Sequence, residues 1–201
     1  MAEIDRRRVE AAVTELLLAI GEDPGREGLE TTPQRVADSY LEYFGGLGAD
    51  PLDHLRETIP TGTAESEGEL TGETVIVRDI AFRSVCEHHL LPFIGVVHIA
   101  YVPADAVVGL GRLPRVVDTL ASRPQVQERL TEQIARAIDD GLSPHGVLVI
   151  LDASHQCVTT RGARQTASTT VTIASRGSLS AGPTRSDVIA LIGTGAGTDA
   201  G

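Results

Sequence analysis

Both cysteines of the chain and three of its six histidines fall in two short segments, Ser84-Val85-Cys86-Glu87-His88-His89 and His155-Gln156-Cys157. Thiolate and imidazole donors suit zinc, and a centre with three protein ligands leaves one coordination position for water or substrate, which marks a catalytic site. Cys86 and His89 are three residues apart, so a turn converges them on one ion, whereas a strand would send them to opposite faces. His88 then points elsewhere and is free for proton transfer. His155 and Cys157 are two apart at the end of an expected strand, where both face one cavity. Cys86, His89 and Cys157 are therefore the expected zinc ligands. His88 and His155 are the expected acid/base groups, since imidazole exchanges protons near neutral pH. Two thiolates and a neutral imidazole cancel the charge of the ion, so water there needs such a neighbouring base. Buried, unreactive thiols are the competing reading. A structural zinc site would need a fourth ligand, and His54, His98 and His145 lie in no cluster.

Arginines flank these segments. Arg112 and Arg115 are three apart at the start of an expected helix, where the dipole also favours anions, so a phosphate site is expected there. Arg161 and Arg164 follow the second segment, and Arg35 lies in the N-terminal part. Gln127-Glu128 reads either as a polar helix face or as a carboxylate placed opposite the two N–H donors of a guanine edge.

These residues need elements to position them. Val9, Ala12, Val13, Leu16, Leu17 and Ile20 recur at helical spacing and end at Gly21, and a second helix starts with Thr32 as cap and Pro33 at its first position. Residues 1–72 are thus expected to form an N-terminal helical lobe and an acidic connection. Thr74 to Phe82 and Phe93 to Val102 read as strands around the first segment. Arg112 to Ala121 and Gln125 to Leu142 read as helices, Val147 to Ala153 and Thr166 to Ala174 as strands, and Ser186 to Ile192 as a short helix. The expectation for 73–192 is an α+β catalytic domain: an antiparallel four-stranded sheet with a helix pair on one face. The tail, 193–201, is expected to be disordered. A sheet with one bare face also predicts a homo-oligomer.

Composition narrows the partners. The net charge is −11, but residues 1–70 hold 16 acidic side chains against six arginines, while the remainder holds 12 against 11. The segment with the site is thus better suited to a small anion than the whole-chain charge suggests. All seventeen basic residues are arginine, and aromatics make up 3% of the chain, so there is neither a basic stripe nor a stacking platform for nucleic acid. No stretch approaches the roughly 20 apolar residues of a membrane span, and the short apolar run near the N-terminus is interrupted by acid, so no membrane role and a cytoplasmic location are expected.

Cys86-Glu87-His88-His89, Gly109-Leu110 with Arg115, Arg123-Pro124-Gln125-Val126-Gln127-Glu128-Arg129-Leu130-Thr131 and His155-Gln156-Cys157 with Arg161-Gly162 together resemble GTP cyclohydrolase I. The similarity runs from about Thr32 to Arg176 and includes Thr32-Pro33-Gln34-Arg35. The resemblance implies a tunnelling fold, a homodecamer of two stacked rings with active sites between subunits, and conversion of GTP and water to 7,8-dihydroneopterin triphosphate and formate. It also implies that Cys86, His89 and Cys157 bind zinc and that His88 and His155 move protons. Glu128 would anchor guanine with backbone near Gln127 assisting, and Arg35, Arg112, Arg115 and Arg161 would hold the triphosphate. One departure is Gly111-Arg112, where the family usually has Ser-Lys; the lost hydroxyl removes a hydrogen bond worth about 0.5–1.5 kcal/mol. With Pro114, this departure motivates two alternatives: a relative that opens the GTP ring but stops at a formamide or cyclic product, and a non-catalytic purine-binding module on the same fold.

Overall fold

A computed structural model describes residues 4–61 and 73–193. In chain order the elements are α1 (Arg6–Ala19), α2 (Thr32–Tyr43), a 3-10 helix (Pro51–Leu55), β1 (Thr58–Pro60), β2 (Val75–Cys86), β3 (Pro92–Val102), β4 (Ala106–Val108), α3 (Arg112–Ala121), β5 (Pro124–Gln125), α4 (Gln127–Leu142), β6 (Gly146–His155), α5 (Gln156–Thr159), β7 (Thr170–Gly177) and α6 (Pro183–Gly193).

The main sheet runs β5-β2-β3-β6-β7. Its four long strands are antiparallel, as expected, and β5 adds a fifth, parallel to the end of β2 through Val85↔Pro124 and Cys86↔Gln125. That short pairing explains why α4 starts at Gln127 and not at Gln125: the backbone of Pro124 and Gln125 is extended to reach β2. Other boundaries also move. β2 continues to Cys86 and β6 to His155, because both strands keep pairing with β3 up to its first residues. β7 begins at Thr170, where it first meets Ala153. Thr31, not Thr32, is the cap of α2, and it makes no side-chain capping bond.

One face of the sheet carries the main core. Leu113, Val116, Val117 and Leu120 of α3, with Leu130, Ile134 and Ile138 of α4, cover Phe82, Phe93, Val97, Ile99, Val149 and Leu151. On the other face, Val188 and Ile192 of α6 cover Ala100, Leu148 and Ile150. With cover on both faces, β6 is buried without interruption from Gly146 to Leu151. The second face is not bare throughout, but towards Ile94, Val171 and Ile173 it stays exposed.

α1 packs on α2, yet buries none of its own residues completely. Gly46, just past α2, ties this pair to α3: its N–H donates to the Ser122 carbonyl at 3.0 Å, and a Cβ there would lie 2.1 Å from the Thr119 carbonyl oxygen. Arg123 reinforces the junction, with Nη2 donating to the Ala49 carbonyl at 2.7 Å and Nε to that of Thr119 at 3.1 Å. The acidic stretch read as a connection contains structure of its own. The 3-10 helix packs on α3 and α4, and β1 pairs with β4. The rest of that stretch, 62–72, and the tail from 194 lie outside the described residues.

Candidate metal centre and acid/base site

The site forms at one end of the sheet, where β2 stops, β3 starts and β6 stops. Cys86 is the last residue of β2, and the chain then turns back on itself: Leu90 N–H donates to the Cys86 carbonyl at 2.8 Å and Cys86 N–H to that of Leu91 at 2.9 Å. Leu90 takes a left-handed conformation, φ +53°, to close this turn. His89 is thereby swung beside Cys86. Cys157 arrives differently from the strand geometry expected of it, because β6 ends at His155 and α5 begins one residue later. A single helical turn, not a shared strand face, brings its sulfur in. The ligand atoms of Cys86, His89 and Cys157 all lie within 4.8 Å of one another, with Cys86 buried, Cys157 half-buried and His89 exposed. Two sulfurs and one imidazole nitrogen converging from two segments could hold a metal ion, and the chemistry of this donor set suits zinc. Among the described residues no other cluster of three metal-type donors exists.

Burial pushes the Cys157 thiol up, nearby Cys86 adds to this, and Arg161, one turn further along, pulls it back. His88 is exposed, its ring 6.2 Å from that of His89 and nearly perpendicular to it, so the two imidazoles diverge. His155 stacks flat on Phe93, with ring centres 4.7 Å apart and planes 3° from parallel. Burial lowers its pKa from the ordinary value, opposed by the charge of Glu128, which is exposed at the first turn of α4.

The ligand turn is braced from behind. Glu87 N–H donates to the Gln125 carbonyl at 3.0 Å, and the Glu87 carboxylate pairs with Arg129, which holds it below its usual pKa. Arg129 Nε also donates to Gln125 Oε1 at 3.1 Å, and Gln125 Nε2 donates to the Leu120 carbonyl at 2.9 Å and Gln133 Oε1 at 2.8 Å. Sequence reasoning missed Gln125, Arg129 and Phe93. Gln125 lies on β5, before α4 begins, so its bond to Arg129 left no periodic sign in the sequence.

Gln127 is not part of a polar helix face. Its side chain is 2% exposed and bonded to β6, β7 and His155 Nε2, so only its main chain is left for a ligand. Arg112 and Arg115 line, with Gly109 to Gly111, a separate cleft of about 190 Å³ at the N-terminus of α3. Arg112 is paired with Glu57 there, and Gly111 provides no side-chain cap to the helix. Arg35 is exposed on α2. Among the described residues, no hydrogen bond or ion pair joins Arg35 or the α3 cleft to the Cys/His cluster. His98 and His54 serve the fold, the first accepting the Asp79 N–H at a bulge in β2, the second bonded to Thr119 Oγ1 at 2.8 Å. No helix among the described residues is long and apolar enough to cross a membrane.

Comparison with known proteins accounts for this arrangement. The family model described as GTP cyclohydrolase I matches residues 9–193. A "GTP cyclohydrolase 1" of Leifsonia xyli subsp. xyli is 59% identical over 196 residues, covering 98% of this chain and all of the relative. The protein of the same name from Bacillus subtilis is 49% identical over 178 residues, covering 88% and 90% of the two chains. Among solved structures, archaeosine synthase QueF-Like in its apo form aligns with a TM-score of 0.42 at 18% identity, over 52% of this chain and 92% of that one. With a family match that spans both Cys/His segments and every element between them, the chain belongs to the GTP cyclohydrolase I family of enzymes.

Proposed function

We propose that the protein converts GTP and water to 7,8-dihydroneopterin triphosphate and formate in a zinc-dependent reaction in the cytoplasm. The observation that carries this reading is the convergence of Cys86, His89 and Cys157 within 4.8 Å, in a chain of this family. Zinc held by these three residues supplies a Lewis acid that makes water a nucleophile near neutral pH. Everything else falls to side chains. Glu128 accepts the two N–H donors of the guanine edge, helped by N–H groups of the first turn of α4, which have no intrahelical partners. Arg161 stands beside Cys157, and Arg35, Arg112 and Arg115 join it on the triphosphate when a neighbouring copy supplies them in a homodecamer. Holding the substrate at both ends fixes C8 of the purine at the metal end. His155 protonates the imidazole ring as the C8–N bond opens, and His88, exposed on the turn that carries Cys86 and His89, exchanges protons with solvent. Loss of formate, rearrangement of the ribose and closure of a six-membered ring complete the reaction.

Incubating zinc-loaded protein with GTP and measuring both formate and the fluorescence of the oxidised pterin tests this. Formate and pterin in equal amounts are expected. Formate alone would replace the reading with an arrested, ring-opening reaction, which the uncapped Gly111 in the α3 cleft would favour. GTP binding with neither product would overturn the enzymatic reading.

A further inference from the structure

The bonds around Gln127 leave one orientation for its amide. Nε2 lies 3.1 Å from the Leu151 carbonyl oxygen, 2.7 Å from that of Thr170 and 3.1 Å from Thr172 Oγ1. Carbonyl oxygens only accept, so the NH2 group faces β6 and β7 and the amide oxygen faces His155. The hydroxyls agree with that orientation. Thr131 Oγ1 donates to the Gln127 carbonyl at 2.8 Å, so across the 2.6 Å contact between the two threonines it is Thr172 that donates. Thr172 Oγ1 is then left to accept from Gln127, whose two Nε2 protons are shared among three acceptors, all on the side away from His155.

Gln127 Oε1 lies 2.6 Å from His155 Nε2. An oxygen without a proton at that distance requires N–H on Nε2, and a neutral imidazole with a proton on Nε2 has none on Nδ1. The flat stack on Phe93 holds the plane of the ring, and the bond to Gln127 holds its edge within that plane. We infer that Gln127 is the positioning residue that fixes His155 as its Nε2–H tautomer and makes Nδ1 the nitrogen that exchanges protons with the substrate. This rests on His155 being a proton carrier, as proposed above. Nδ1 takes a proton as water adds to C8 and returns it to the purine nitrogen as the C8–N bond opens, while the other proton stays on Nε2, donated to Gln127 Oε1, throughout. A merely structural Gln127 would tie α4 to β6 and β7 without selecting a tautomer.

Solid-state NMR of zinc-loaded protein carrying 15N in its histidine rings decides the matter at about pH 8, where an ordinary imidazole is neutral. The signals of His155 are those absent from a His155→Asn sample. A protonated Nε2 and a bare Nδ1 are expected, and a protonated Nδ1 would overturn the assignment. Two variants separate positioning from scaffolding. Gln127→Glu, protonated where its carboxyl faces the Leu151 and Thr170 carbonyls, keeps both a donor on that side and an oxygen acceptor for His155 and should keep the tautomer, whereas Gln127→Leu should give a mixture. Turnover in the Leu variant should fall about 10- to 100-fold, the usual cost of losing a partner that orients a site residue, with KM and bound zinc little changed. The Glu variant should recover most of that loss. Equal losses in both variants, with the tautomer unchanged in each, would reduce Gln127 to a structural tie. Since the spectra need no turnover, a protein inactive on GTP would overturn the proposed activity while the tautomer is still read directly.

Discussion

Cys157 and His155 sit two residues apart, yet their substitution should have opposite consequences. Cys157→Ala should lose zinc, measured as metal per subunit after dialysis, whereas His155→Ala should keep zinc and lose turnover; retained zinc in the Cys157 variant would refute its role as ligand. The same measurement carries a pH dependence. A zinc ligand must be a thiolate, and burial and Cys86 both push the Cys157 thiol up, so the proton is harder to displace and zinc affinity should fall as the pH is lowered. The convergence of Cys86, His89 and Cys157 was legible because a spacing of three marks a turn and because both cysteines carry histidine neighbours. Gln127 was not. Its partners on β6 and β7 are largely backbone carbonyls, which leave no trace in a sequence, and in Gln125-Val126-Gln127-Glu128-Arg129 a buried glutamine looks like any exposed one.

At the level of elements, the ligand turn depends on α4. Arg129 grips both Glu87 on the turn and Gln125 on β5, and thereby sets where His89 stands relative to Cys86. Arg129→Ala should lower zinc affinity by about tenfold, in the range found when an outer partner of a metal ligand is removed, without unfolding the protein. Competition with a chromophoric chelator, alongside circular dichroism, measures both; unchanged affinity would mean that the turn holds itself. Apolar periodicity revealed α3 and α4 and the four long strands. It could not reveal β5, which is two residues long and exists only because β2 offers an edge to Pro124 and Gln125. Nor could it place Cys157 on α5, since four residues are too few to show a helical period.

For the whole molecule, apolar exposure is the feature to explain. Ile94, Val171 and Ile173, on the second face of the sheet, are 52%, 56% and 46% exposed, and Leu16, Leu18 and Ile20 are exposed on and just beyond α1. Patches of this kind accompany association, and Arg35 and the α3 cleft have no described contact with the metal centre in a single chain. A particle of about ten subunits is expected from light scattering on the eluting protein. A monomer that is fully active would contradict that assembly.

The register of β3 also has a meaning in time. β3 pairs on one side with β2, Ser84↔Phe93, and on the other with β6, Phe93↔His155, so a single residue spans the gap between the two halves of the Cys/His cluster. The hairpin of β2 and β3 can close early, since its strands are near neighbours in the chain. β6 lies beyond α3 and α4 in the chain, so its pairing with β3 must close a long intervening loop, a slower, non-local step. Until then a folding chain presents Cys86 and His89 without Cys157. Capture of a metal ion by all three residues, as proposed, would therefore come late in folding, locking a finished sheet in place of seeding one.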